Sequence, residues 1–190
     1  LKILVLDNYD SFTYNLVHLI EKVCIEAKVT VFKNDVITLK EIELYDKLIL
    51  SPGPGLPKDA GLMPLLLKTY ANTKPIFGVC LGLQAIAQNY GAELKNLSQV
   101  YHGIATEICV NKNNFLFKNC PEKFKVGRYH SWVVDKINLP KELKIVAEDA
   151  QGNIMALQHQ NHNVCGVQFH PESILSEFGE VILSNWIYNS

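Results

Sequence analysis

Nowhere in this sequence do about 18 apolar residues follow one another, so no segment reads as a helix spanning a bilayer. A surplus of either charge is also missing. The 18 Lys and Arg balance 19 Asp and Glu, for a net charge of −1. No basic surplus therefore argues for a nucleic-acid partner, and no acidic tail argues for disorder. The opening Leu1-Lys2-Ile3-Leu4-Val5-Leu6 is too short for a signal-peptide core and runs straight into Asp7. The five cysteines (Cys24, Cys80, Cys109, Cys120, Cys165) are odd in number and contain no C-x-x-C pair. This usage fits free thiols in a reducing cytoplasm, with neither a disulfide framework nor a structural metal. Internal repeats, low-complexity tracts and linkers are absent too, so residues 1–190 read as one domain.

Apolar residues supply 48% of the chain, enough for a full core. Lys2 to Leu6, Val29 to Phe32 and Lys47 to Leu50 read as strands. Between them, Phe12, Leu16, Leu19, Ile20 and Val23 recur at helical spacing, and a short helix fits around Leu39 to Glu43. Asp10 or Ser11 is placed to cap the first helix. Strand and helix alternation predicts an α/β fold, with a parallel sheet covered by helices on both faces. Leu62, Leu65, Leu66, Thr69 and Tyr70 predict another helix. After Gly91 the strands shorten: Ile104 to Val110, Phe124 to Tyr129, Lys144 to Glu148, Ile154 to His159 and Val164 to Phe169. Asn-rich turns between them predict hairpins, so the sheet should be mixed. Phe178 to Tyr188 closes the chain as an amphipathic helix.

Two loops stand out. Ser51-Pro52-Gly53-Pro54-Gly55-Leu56-Pro57 ends a strand, where ligands collect in open α/β sheets. Its prolines fix backbone and its glycines free it, so N–H groups can be held toward a site. The second is Gly78-Val79-Cys80-Leu81-Gly82, between the apolar strand Ile76 to Val79 and a helix carrying Leu83, Ala85, Ile86, Ala87 and Tyr90. G-x-Cys-x-G is the pattern of a nucleophile on a sharp strand-to-helix turn, where flanking Cβ atoms would clash. The helix N-terminus favours thiolate. A buried structural cysteine is the alternative at this point.

A thiol nucleophile needs a base, and the base needs an orienting partner. His18 reads as structural within the first helix, and His159 and His162 as solvated in a polar turn. His170 ends an apolar run and is followed by Pro171-Glu172, so Glu172 can hold one ring nitrogen while the other faces the thiol. His130, in Arg128-Tyr129-His130-Ser131-Trp132, also follows a strand, and spacing alone leaves it open as the base.

Taken in order, Pro52-Gly53-Pro54-Gly55, Gly78-Val79-Cys80-Leu81-Gly82-Leu83-Gln84, Tyr129-His130-Ser131 and Gly166-Val167-Gln168-Phe169-His170-Pro171-Glu172-Ser173 resemble the class I (triad) glutamine amidotransferases. Asp7-Asn8-Tyr9-Asp10-Ser11-Phe12-Thr13-Tyr14-Asn15-Leu16 and Glu172-Ser173-Ile174-Leu175-Ser176 resemble one branch. Its members are glutaminase subunits of anthranilate synthase and of aminodeoxychorismate synthase. The resemblance implies an open, mostly parallel, flavodoxin-like mixed sheet and no cofactor.

By the same resemblance, Cys80 attacks the side-chain amide of L-glutamine, with His170 as acid and base and Glu172 as its orienter. Backbone N–H groups of Gly55 and Leu81 hold the oxyanion. Gly53, Pro54, Gly55, Gln84, Ser131 and Trp132 hold the substrate. A partner subunit that binds chorismate, component I of either synthase, receives the ammonia, with no nucleic acid or membrane involved. All 190 residues are taken up by the amidotransferase, so the synthase chemistry is expected on that partner. Two positions depart from the family pattern: Leu83 stands where His is usual, and Ile104 follows His102-Gly103 where Lys is frequent.

Overall fold

The computed structural model describes all of residues 1–190. In chain order it contains β1 (Lys2–Asp7), α1 (Thr13–Val23), β2 (Lys28–Lys33), α2 (Leu39–Ile42), β3 (Lys47–Leu50), α3 (Met63–Tyr70), β4 (Ile76–Val79) and α4 (Leu81–Asn89). Then follow β5 (Leu94–Asn96), β6 (Ile104–Val110), β7 (Lys123–Arg128), β8 (Trp132–Val134), β9 (Leu143–Asp149), β10 (Ile154–His159), β11 (Val164–Val167) and α5 (Gly179–Asn189). Nine strands form one sheet in the order β2-β1-β3-β4-β11-β10-β9-β6-β7. From β2 to β11 neighbouring strands run parallel, and from β11 to β7 they run antiparallel. The expected open mixed α/β sheet is therefore what forms.

β1 explains the two-sided core. Its apolar run is buried on both faces, as central parallel strands require. Ile3 and Val5 point to one side and Leu4 and Leu6 to the other, the period of two that a strand imposes. On the Ile3 side, Leu16, Val17 and Ile20 of α1 pack with Ile182, Leu183 and Trp186 of α5. On the Leu4 side, Ile42 of α2, Met63, Leu66 and Leu67 of α3, and Leu81 and Ile86 of α4 fill the space. Leu83 faces neither of these cores. It is fully buried with Ala87, Val134, Leu143 and Ile154 in a third, smaller one.

Some local expectations change. α1 is capped by neither Asp10 nor Ser11: Phe12 holds the N-cap position, with no side-chain cap. The Asp10 carboxylate instead accepts from Phe12 N at 2.7 Å, a turn one step ahead of the helix. β11 stops at Val167 because Gln168 N turns to Met155 O (2.8 Å) and His170 N to Gly127 O (3.0 Å). The two-stranded sheet of β5 and β8 was not legible, each strand being three residues long. His18 is no structural residue: its side chain is 77% exposed, beside Glu21. His159 is not solvated. It is buried with its ring 4.4 Å from both Tyr90 and His162, and Nδ1 accepts from Asn161 N and His162 N.

The topology gathers the carboxyl ends of β1, β3, β4 and β11 on one sheet edge. From those ends come Asn8, the Ser51–Gly55 loop, Cys80 and Gln168–His170, so the four loops meet by construction.

Candidate active site

Cys80 sits at φ 52°, ψ −102°, a conformation that L residues rarely adopt, at the N-cap of α4. Its neighbours make that turn possible. A Cβ on Gly78 would lie 2.4 Å from the Gly82 carbonyl carbon, and one on Gly82 would lie 2.5 Å from Leu50 O. Cys80 N donates to Val167 O at 2.8 Å, tying the turn to the end of β11. Strain held by surrounding structure marks functional sites. The geometry therefore favours the elbow over a passive buried thiol.

His170 is buried, with Nδ1 2.8 Å from Glu172 Oε1. Facing a carboxylate, Nδ1 carries the proton. Nε2 is buried without a hydrogen bond. The ring lies against Tyr129 (4.7 Å) and Phe12 (5.3 Å). Burial alone would push the imidazole pKa down. The adjacent Cys80 thiol and the Glu172 carboxylate outweigh it and raise the pKa above the ordinary histidine value. The turn after His170 is pinned by Ser173 N and Ser176 Oγ, both donating to His170 O.

His130 is excluded as a free base by its own bonds. Nε2 accepts from Arg128 Nε at 3.1 Å, and Nδ1 therefore donates to Trp132 O at 3.0 Å. Burial and the Arg128 guanidinium push its pKa down to about 3. Arg128 is in turn paired with Asp149 at 2.8 Å, both side chains buried.

The Ser51–Gly55 loop is held from below by Asn8. Asn8 N donates to Ser51 Oγ and Asn8 Nδ2 to Ser51 O, each at 2.8 Å. A Cβ on Gly53 would come within 2.6 Å of Asn8, and Gly55 takes φ +74°. Leu81 N opens α4, where the first N–H groups have no intrahelical partner. Gln84 Nε2 donates to Trp132 O (2.9 Å) and Gln168 Oε1 (3.1 Å).

A cavity of about 330 Å³ opens above Cys80. Its wall contains Gly53, Pro54, Gly55, Leu81, Gln84, Ser131 and Trp132, so the sequence-predicted substrate residues come together. His170 and Glu172 lie outside that wall, and Glu172 borders a second hollow of about 590 Å³ with Phe12, Tyr129 and Ile174. No three or more His, Cys, Asp or Glu side chains gather as a metal site. Chemically, the arrangement offers a thiol, an imidazole fixed in one tautomer, and backbone donors at the same strand ends. That combination suits acyl transfer from a small amide.

The family model for class-I glutamine amidotransferases matches residues 4–190. This chain belongs to that family. The anthranilate synthase component 2 of Lactococcus lactis is 44% identical over 188 residues, covering 97% of this chain and 93% of that protein. The bifunctional protein TrpGD of Thermotoga maritima is 40% identical over 188 residues. This chain spans 98% of its own length there but 32% of that longer protein. Among solved structures, a putative GMP synthase subunit from Thermoplasma acidophilum superposes with a TM-score of 0.87 at 26% identity, covering 98% of this chain and 92% of that one.

Within this amidotransferase, sequence reasoning passed over Gln168, Asn8, Arg128 and Asp149. The first had a signal: it is a polar residue inside the apolar run Val164 to Phe169, and it is fully buried. Leu83 departs from the family wording but takes no part in the cavity wall. Ile104 is 40% exposed at the start of β6.

Proposed function

We propose that residues 1–190 act as one amidotransferase domain that releases ammonia from L-glutamine for a chorismate-binding synthase partner, as in anthranilate formation for tryptophan biosynthesis. The observation carrying this reading is the buried His170–Glu172 pair, adjacent to Cys80 at the strained elbow. His170, its pKa raised by Cys80 and Glu172, holds the proton taken from the thiol, and Sγ adds as thiolate to the amide carbonyl of glutamine. The tetrahedral oxyanion is met by the N–H groups of Gly55 and Leu81, donors of a kind worth about 3 kcal/mol each. His170 then passes the proton to the departing nitrogen, and ammonia leaves a glutamyl thioester. Water, deprotonated by the same imidazole, releases glutamate and restores the thiol. Glu172 holds the ring and steadies the imidazolium. Gly53, Pro54, Gln84, Ser131 and Trp132 hold the glutamine.

Ammonia is mostly ammonium near neutral pH, so a protected route to the partner keeps it nucleophilic. Exposed apolar side chains support a docking face around the site: Tyr9 in the Asp7 to Ser11 loop, Tyr14, Val100 and Ile174. The Pro-Gly loop belongs to the same face. The five free cysteines suit work in the reducing cytoplasm. No helix is long and apolar enough to cross a membrane.

The test is product formation by this chain with a component I synthase, chorismate, and either glutamine or ammonium salt. Cys80→Ser should abolish anthranilate made from glutamine and spare that made from ammonium. Equal yields from both nitrogen sources, with and without Cys80→Ser, would sink the coupled reaction. Aminodeoxychorismate as the sole product would replace the anthranilate partner with the folate one.

A further inference from the structure

We propose that Gln168 is a positioning residue for the Cys80 thiolate, aiming a hydrogen-bond donor at Sγ, and that its amide is oriented from the Trp132 carbonyl through Gln84. The inference rests on Cys80 being the nucleophile.

The orientation follows from donor and acceptor logic. The Trp132 carbonyl only accepts, and it takes His130 Nδ1–H and Gln84 Nε2–H. The Gln84 amide is thereby fixed with its NH₂ inward. Its Nε2 also reaches Gln168 Oε1 at 3.1 Å. With its oxygen occupied, Gln168 has only its own NH₂ to turn toward the elbow, and Nε2 lies 3.5 Å from Cys80 Sγ. Flipping Gln168 would set two NH₂ groups against each other and a carbonyl oxygen against sulfur. Gln168 is 0% exposed and Gln84 3% exposed, so no bulk water relaxes that penalty. The Gln168 backbone is anchored by its N–H to Met155 O at 2.8 Å.

A donor at sulfur favours thiolate over thiol, because a charged acceptor makes the stronger hydrogen bond. Gln168 does not titrate, so the donor stays in place when His170 changes protonation state. This matters twice: when Sγ attacks, and when water displaces it and the C–S bond electrons return to sulfur. Gln84 meets Gln168 on one side and lines the substrate cavity on the other, so it joins the glutamine pocket to the nucleophile.

The experiment is the pH dependence of Cys80 alkylation by iodoacetamide, read by mass spectrometry on the Cys80 peptide, beside glutaminase kinetics. Gln168→Met keeps the side chain's length and removes the donor. The midpoint for alkylation should rise by about one pH unit or more, the scale of a hydrogen bond to a charged group. It should lower kcat about tenfold while KM changes less than about threefold. Gln168→Glu, which sets a second negative charge beside the sulfur, should raise the midpoint further. A folded Gln168→Met with an unchanged midpoint overturns the inference, as does a change confined to KM. If neither variant folds, the side-chain amide resonance of Gln168 in the unmodified protein decides. It should titrate with Cys80 and stay flat in Cys80→Ser, and a flat response in both overturns the inference. Glutaminase activity surviving in Cys80→Ser removes the nucleophile itself. A dead Cys80→Ser with an unshifted Gln168→Met removes only the role of Gln168.

Discussion

Glu172 Oε1 and His170 Nδ1 meet at 2.8 Å where neither side chain is more than 2% exposed. A carboxylate in that position is acceptable only because the imidazole N–H answers it. The contact fixes the tautomer and leaves Nε2 toward the thiol. Glu172→Gln keeps the shape but loses the charge that steadies imidazolium. It should lower kcat for ammonia release from glutamine by at least about a hundredfold, with glutamine affinity little changed. Steady-state kinetics with glutamine as sole nitrogen donor check this.

Gly78 and Gly166 are cross-strand partners on β4 and β11, and neither tolerates a Cβ. One on Gly166 would lie 2.4 Å from Gly78 O, and one on Gly78 2.4 Å from the Gly82 carbonyl carbon. Since the obstacles are backbone atoms, Gly78→Ala and Gly166→Ala should each cost about 3 kcal/mol or more. Gly55 is different. Nothing lies within 4 Å of its would-be Cβ, but φ is +74°. Gly55→Ala should cost only about 1–2 kcal/mol of left-handed strain. Urea unfolding of the three variants separates the two mechanisms.

Arg128 and Asp149 form a pair whose side chains are 0% and 1% exposed. Removing one partner strands the other charge. Arg128→Met should destabilise the fold by about 3–5 kcal/mol. Arg128→Met combined with Asp149→Asn should recover part of that loss, because no full charge is then left buried. Chemical denaturation of the single and double variants checks the coupling.

His130 gives the fold a pH dependence of predictable sign. Its pKa is 6.5 when unperturbed and about 3 in the folded protein, through burial and the nearby Arg128 charge. Between these values the unfolded chain takes up a proton that the folded one refuses. Stability should therefore fall as pH drops from about 6.5 toward 3. His130→Asn should flatten that part of the stability curve. An unchanged slope between wild type and variant over this window would contradict the assignment.

Much of this was written locally in the sequence. The apolar runs of β1, β3 and β4 and the alternation with helices gave the parallel half of the sheet. The glycines around Cys80 announced the strained turn, and the His170-Pro171-Glu172 step announced the buried pair. What could not be read depends on contacts between distant segments. Spacing alone leaves His130 level with His170 and only the family resemblance separates them; the physical reason is that Arg128 and the Trp132 carbonyl occupy both His130 nitrogens. His159 reads as a turn residue, and the approach of Tyr90 from α4's C-cap and of His162 covers its ring. Gln168 reads as an interruption in a strand, and its meaning emerges only when Gln84 and Cys80 stand on either side of it.

The most direct test of the central claim is mass spectrometry of the protein quenched in acid during turnover with L-glutamine. A glutamyl group should be found on the peptide containing Cys80, formed in step with ammonia release and absent in Cys80→Ser. Ammonia release at the wild-type rate by Cys80→Ser, or the glutamyl group on any other residue, would contradict the account.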